Sequence, residues 1–176
     1  MDIGLLILRL GIGLALMAHG AQKLWGVFGG GGPTGTAQFL ESIKFHPGRP
    51  YAWLVGIAEV VGGGLLALGL LTPVGAAAII GVMLTAIVVV HASNGFFDTR
   101  GGIEFPLVIS LAAAALAFTG PGALSLDAAL EWSLRGVDWG IGAILAGGLA
   151  SGGVLVARSW ERVRQALRLR SLLPGS

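Results

Sequence analysis

Residues 3–25 read IGLLILRLGIGLALMAHGAQKLW, and this stretch decides the fold. It is long enough to cross a bilayer, which takes about 20 mostly apolar residues. Yet it carries Arg9, His19, Gln22 and Lys23. At 100° per residue, Arg9, His19 and Lys23 fall within an arc of about 80° on one helix face. Each such group turned toward lipid would cost about 2.5–3.5 kcal/mol or more. That face therefore looks into protein or water, and the rest of the chain must supply helices to cover it.

The composition agrees. Only 11% of the residues are charged and 55% are hydrophobic, with a mean hydropathy of +0.85. A soluble domain has about 25% charged residues, so this chain has too little polar material to face water. The expected fold is an all-α, polytopic membrane helical bundle. Cysteine is absent, which excludes disulfides, Fe–S ligation and thiolate chemistry within the chain. The pI near 9.7 does not point to nucleic acid. Five of the eleven basic residues (Arg158, Arg162, Arg164, Arg168 and Arg170) sit in the C-terminal tail, where a basic cluster suits membrane orientation and anionic headgroups. The N-terminus lacks a basic n-region and Arg9 interrupts its apolar run, so it reads as a retained span rather than a signal peptide.

Five spans are expected, at about 3–25, 51–71, 73–92, 103–119 and 137–157. Thr72-Pro73 looks like an N-cap followed by proline in the first turn. Gly120-Pro121-Gly122 closes the fourth span, and the fifth is glycine-rich. Between spans one and two, the run Gly29 to Pro33 is expected to be too flexible for a helix. Thr36–Phe45 then reads as a short amphipathic segment. A short helix is expected from Ser125 to Leu134, and the tail from Arg158 to Arg170 as a helix along the inner leaflet anchored by Trp160. Small residues, including Gly11, Gly13, Gly62–Gly64, Ala112–Ala115 and the pair Gly148-x-x-x-Gly152, suit close helix packing in lipid. The chain divides into a core over residues 1–127 and a fifth helix with basic tail over residues 128–176.

Five spans put the termini on opposite faces. Lys23, Lys44, Arg49, Arg100 and the five tail arginines then share one side, with only Arg135 in a loop on the other. The positive-inside rule makes the basic side cytoplasmic and the N-terminus external, in a bacterial inner membrane. With that topology four spans bring an ionisable group to the cytoplasmic half: His19 with Lys23, Glu59, His91 and Glu104. Lys23, His91 and Glu104 lie near span ends, where snorkelling to the interface is the plain alternative. Glu59 lies deeper, and an unpaired carboxylate there must be protonated or find a cation. A structural pair of Glu59 with Lys23 or Arg9 is the competing reading.

Weaker signals are set aside. Gly30-x-Gly32-x-x-Gly35 fits a dinucleotide pattern but follows a membrane span instead of a strand. His19 and His91 on facing helices are a conceivable haem pair, but two histidines at one depth arise readily by chance and haem is not expected. The three histidines lack close metal-ligand spacing, so no metal site is assigned.

Several motifs together carry a resemblance. Arg9 followed by His19-Gly20-x-x-Lys23-Leu24, then Gly56-x-x-Glu59-x-x-Gly62-Gly63, Leu68-Gly69-Leu70-Leu71-Thr72, Gly95-Phe96, Glu104-Phe105-Pro106-Leu107 and Ser125-Leu126-Asp127 resembles the DoxX family of small bacterial membrane proteins, from about Ile3 to Asp127. The resemblance implies a four-helix core, to which this chain adds a fifth transmembrane helix and an arginine-rich tail. It implies an association with quinone-linked redox chemistry and a site drawn from Arg9, His19, Lys23, Glu59 and Glu104. Combining the two readings, His19, Lys23, Glu59 and Glu104 are the candidates for chemistry, and Arg9, Gln22, His91 and Asn94 for ligand binding. The expected function is a quinone-associated redox subunit with an intramembrane proton-handling site. Its expected partners are the bilayer, a redox protein and further copies of itself, but no nucleic acid. Binding or transport of a small molecule or lipid, and assembly of a membrane complex, are the alternatives.

Overall fold

The computed structural model describes residues 2–171. Helix α1 (Asp2–Trp25), α3 (Gly48–Leu68) and α7 (Val137–Ser171) are long and apolar, as is the segment Thr72–Asn94 that contains α4 (Thr72–Ala86). These four are the candidate membrane spans among the described residues. Helix α5 (Glu104–Thr119) has 16 residues. At 1.5 Å per residue it is about 24 Å long, shorter than the roughly 30 Å hydrocarbon core. Helices α2 (Gly32–Ser42) and α6 (Leu126–Ala129) are short connectors.

Close backbone approach organises the bundle. Helices α1 and α3 run antiparallel with glycines spaced by seven on each. Gly13 meets Gly63, where an added Cβ would lie 2.5 Å from the Gly63 carbonyl oxygen. Gly20 meets Gly56, with a Cβ 2.7 Å from that carbonyl oxygen. Lipid offers helices no hydrophobic reason to associate, so such contacts must supply van der Waals packing instead. Helix α4 then packs on α3, α5 and α7, around a core that includes Leu16, Leu66, Ile79 and Leu116. Helix α7 presents Gly140, Ala143, Gly147 and Ser151, all buried, to this core. The expected Gly148–Gly152 pair is not the packing stripe: neither glycine, nor Gly11, has a heavy atom within 4 Å of an added Cβ. Their faces, with exposed Ile7, Leu14, Leu145 and Leu149, suit contact with lipid tails.

Several boundaries differ from expectation. Pro33 does not delay α2, which starts at Gly32 and takes Pro33 into its first turn, where a missing N–H is harmless. It ends at Ser42, before Phe45. Helix α3 begins and ends three residues earlier than 51–71 and is closed by Gly69 at φ 62°. Thr72 is not an N-cap. It is the first helical residue of α4, and the capping acceptor is Asp127, 55 residues away, whose carboxylate accepts from Thr72 N at 3.1 Å and Thr72 Oγ1 at 2.8 Å. The expected third span changes character before it ends, with a π-helical turn at Ile87–His91. The expected helix at Ser125–Leu134 shrinks to the single turn α6, capped by the Ser125 hydroxyl. The tail does not break from the fifth span, since α7 is one helix of 35 residues, about 52 Å long. The side chains of Arg162, Arg168 and Arg170 lie outside the described residues.

Candidate functional site

Two buried polar clusters mark the ends of the bundle. At the end where α1 begins, Arg9 is 3% exposed. Its Nη1 donates to the Ala67 carbonyl at 2.9 Å, and its Nη2 to the Leu124 carbonyl. Asp127 accepts from Leu71 N at 2.7 Å in addition to Thr72, and its own N–H donates to Gly69 O. These bonds tie α1, the α3–α4 turn and the loop before α6 into one corner. Arg9, read as a ligand-binding residue, is thus held at the far end from His19 and Lys23. Its two bonded nitrogens are spent on backbone carbonyls.

At the other end lies a cavity of about 400 Å³. Its walls are almost wholly apolar, built by α1, α3, the end of α4, the start of α5 and the middle of α7. Helix α2 and the segment after it form the cover, contributing Phe39, Ile43 and Phe45. This cover is pinned. Arg158 of α7 donates Nε (3.1 Å) and Nη2 (2.8 Å) to the Ile43 carbonyl. Its guanidinium carbon sits 5.1 Å from the Phe45 ring centroid, within reach of a cation–π attraction.

Four of the eight candidate residues line this cavity: His19, Lys23, Glu59 and His91. Lys23 Nζ lies 2.6 Å from Glu59 Oε2. The pair follows from the Gly20–Gly56 contact. Helical side chains lean toward their own N-terminus, so in antiparallel α1 and α3 Lys23 and Glu59 lean toward each other across that contact. The Lys23 ammonium also lies 3.4 Å from the His19 carbonyl. Glu59 is nearly closed off, with its side chain 5% exposed, whereas that of Lys23 is 27% exposed. An ammonium has three hydrogens, so the two contacts leave one for a ligand oxygen. His19 stands edge-on to Phe105, with ring centroids 6.3 Å apart.

His91 enters the cavity wall at the π-helical turn. The wider turn shifts the face presented by residues beyond it, and Val89, Val90 and His91 all line the cavity. His91 Nδ1 is 2.7 Å from the Gly101 carbonyl oxygen. A carbonyl only accepts, so Nδ1 carries the proton in this bond, and the neutral ring has an acceptor at Nε2. The other candidates hold loops at this end. Gln22 Nε2 donates to Phe28 O at 3.0 Å, Asn94 Nδ2 to Gly101 O at 3.2 Å, and Glu104 Oε2 accepts from Asp98 N at 2.9 Å. None of the three lines the cavity.

Reading the sequence missed the hydroxyls Thr85 and Ser151, which line the cavity from α4 and α7. The available signal was a hydroxyl in the middle of an apolar span. Phe45, part of the cover, meets Tyr51 of α3 edge-to-face with ring centroids 5.0 Å apart.

A helical bundle with several helices of membrane-spanning length and an ion pair on the wall of an apolar cavity is a multi-pass membrane protein with a pocket between its helices. Comparison with known proteins gives its family. The DoxX family profile matches residues 4–92, from α1 through the π-helical turn. The chain is also 32% identical over 128 residues to a Bacillus subtilis (strain 168) protein described as "Putative oxidoreductase CatD", covering 72% of this chain and 86% of that one. The chain therefore belongs to the DoxX family. No solved structure matches it.

Proposed function

We propose that this protein is a membrane redox subunit whose cavity receives the head of a quinone and whose Lys23–Glu59 pair handles its protons. The observation that carries the reading is the 2.6 Å ion pair set in the wall of an otherwise apolar cavity of about 400 Å³. An apolar pocket with a few convergent polar groups is the usual form of a small-molecule site, and ionisable groups inside membrane helices are costly enough to suggest a function. The description of the Bacillus subtilis relative as a "Putative oxidoreductase" lends further support.

Reduction of a quinone to a quinol takes two electrons and two protons. Lys23 can donate a hydrogen bond to a quinone oxygen, and Glu59 and His91 are groups that can accept or return a proton at hydrogen-bond range. The electrons must come from outside these residues, because such transfer is ordinarily a cofactor's work. A partner protein is the proposed source. The positive-inside rule places the end bearing Lys23, Lys44, Arg49, Arg100 and Arg158 in the cytoplasm, with the N-terminus outside. Proton exchange at the cavity would then occur on the cytoplasmic side.

Glu59→Gln keeps the shape and removes the charge. Quinone-dependent turnover by membranes carrying this variant should be abolished while the bundle stays folded; full turnover would remove Glu59 from the chemistry. Native mass spectrometry and an absorption spectrum of the wild-type protein in mild detergent supply the companion test. Co-purifying quinone or a redox partner supports the reading. Phospholipid alone in the cavity supports a second one, binding of a lipid or small amphiphile, which the nearly continuous apolar lining favours.

A further inference from the structure

Helix α7 lies outside the region matched by the family profile, yet Ala150, Ser151 and Val154 form part of the cavity wall. Ser151 is 5% exposed, and its Oγ is 2.9 Å from Thr85 Oγ1. Thr85 Oγ1 is also 2.8 Å from the Gly81 carbonyl oxygen. Thr85 has one hydroxyl hydrogen and so cannot donate to both neighbours. The Gly81 carbonyl can only accept, so when Thr85 donates there, the hydrogen between the two hydroxyls belongs to Ser151. That hydrogen can turn from Thr85 to an acceptor in the cavity while Thr85 keeps its bond to Gly81. No buried donor is then left unpaired, and only one neutral hydrogen bond is exchanged for another.

The position matters as much as the chemistry. Lys23 and Glu59 come from α1 and α3, Thr85 and Ser151 from α4 and α7. The packing order runs from α1 to α3, α3 to α4 and α4 to α7, so the two polar points sit on walls of the cavity built by different helix pairs. We propose that Ser151, positioned by Thr85, is a second recognition point of the cavity. It would make the site selective for an apolar ligand with two separated hydrogen-bond acceptors over one with a single acceptor. This rests on the reading of the cavity as a quinone site and names the residue that tells a dione from a monoketone.

The test uses the full chain in nanodiscs and two probes, 1,4-naphthoquinone with two carbonyls and 1-tetralone with one. Their affinities are compared by isothermal titration. Wild type should prefer the dione by up to about fivefold, the worth of one neutral hydrogen bond less what Ser151 gives up in leaving Thr85. Ser151→Ala should bring that preference close to one by weakening the dione alone, and Ser151→Thr should restore it. Should the alanine variant fail to assemble, Thr85→Val supplies the readout: it removes the bond that Ser151 gives up on binding the dione, so the preference should rise, and an unchanged or lost preference would overturn the proposal. Equal weakening of both probes by Ser151→Ala would make the hydroxyl pair a helix-packing bond and overturn the proposal. So would a wild type that binds both probes equally, although the cavity reading would survive that result. Binding of neither probe by the wild type would remove both.

Discussion

Arg9 and Lys23 lie on the same helix, about 21 Å apart along it and about 40° apart around it, and their fates differ. Arg9 is 3% exposed and gives its two terminal nitrogens to backbone carbonyls in a closed corner, with Nε buried and without a hydrogen-bond partner. Lys23 faces a carboxylate, and its partly exposed side chain borders a cavity. The corner around Arg9 is filled by hydrogen bonds that join three segments of chain, so its cation holds the fold together. Around Lys23 the helices leave space, and its cation has a hydrogen to offer a ligand. A charged group inside a bundle therefore says little about function until its neighbours are known. What separates the two is whether protein or empty volume faces the group.

That contrast can be broken experimentally. The largest effect is expected at the closed corner. Asp127→Ala leaves Leu71 N, Thr72 N and Thr72 Oγ1 without their acceptor, and at about 1–3 kcal/mol per buried orphan should cost at least about 3 kcal/mol. Thermal unfolding in detergent would read this as a large fall in Tm, and an unchanged Tm would refute the account of that corner. Gly20→Ala comes next. Its Cβ would lie 2.6 Å from Val60 Cγ2 and 2.7 Å from the Gly56 carbonyl oxygen, so α1 and α3 must part, at a cost of about 1–3 kcal/mol. The same parting should loosen the Lys23–Glu59 pair, detectable as weaker ligand binding at a temperature where the variant is folded.

A smaller change in stability is expected for Glu59→Gln, about 1–2 kcal/mol, because the amide oxygen can still accept from Lys23 while the charge attraction is lost. Its ligand binding and turnover should fall far more than its Tm. A matching collapse of both would put the pair in the same structural class as Arg9. The smallest effect belongs to His91→Asn. The asparagine amide can replace Nδ1 as donor to Gly101 O but has no counterpart to Nε2. The unfolding free energy should change by less than about 0.5 kcal/mol, while proton-coupled turnover drops. Equal turnover would confine His91 to holding the loop.

The sequence by itself determined that this is a multi-pass helical membrane protein. Low charge and apolar runs of spanning length leave a chain no other way to satisfy its backbone in lipid. Residues 3–25 also marked one face of α1 as polar and inward-looking, and the DoxX motifs pointed to the family. Local grammar failed where the deciding partner is remote in sequence. Thr72 looked like its own cap because the carboxylate that caps α4 comes from Asp127. Gly148 and Gly152 looked like a packing pair, but Gly140, Ala143, Gly147 and Ser151 meet the bundle, because helix rotation is settled by the surface opposite. Only the tertiary structure separated Arg9 from Lys23, turned Gln22, Asn94 and Glu104 into loop anchors, and brought Ser151 to the cavity. A cavity belongs to no single segment. It exists only where several helices fail to close on one another, so no local pattern of residues can announce it.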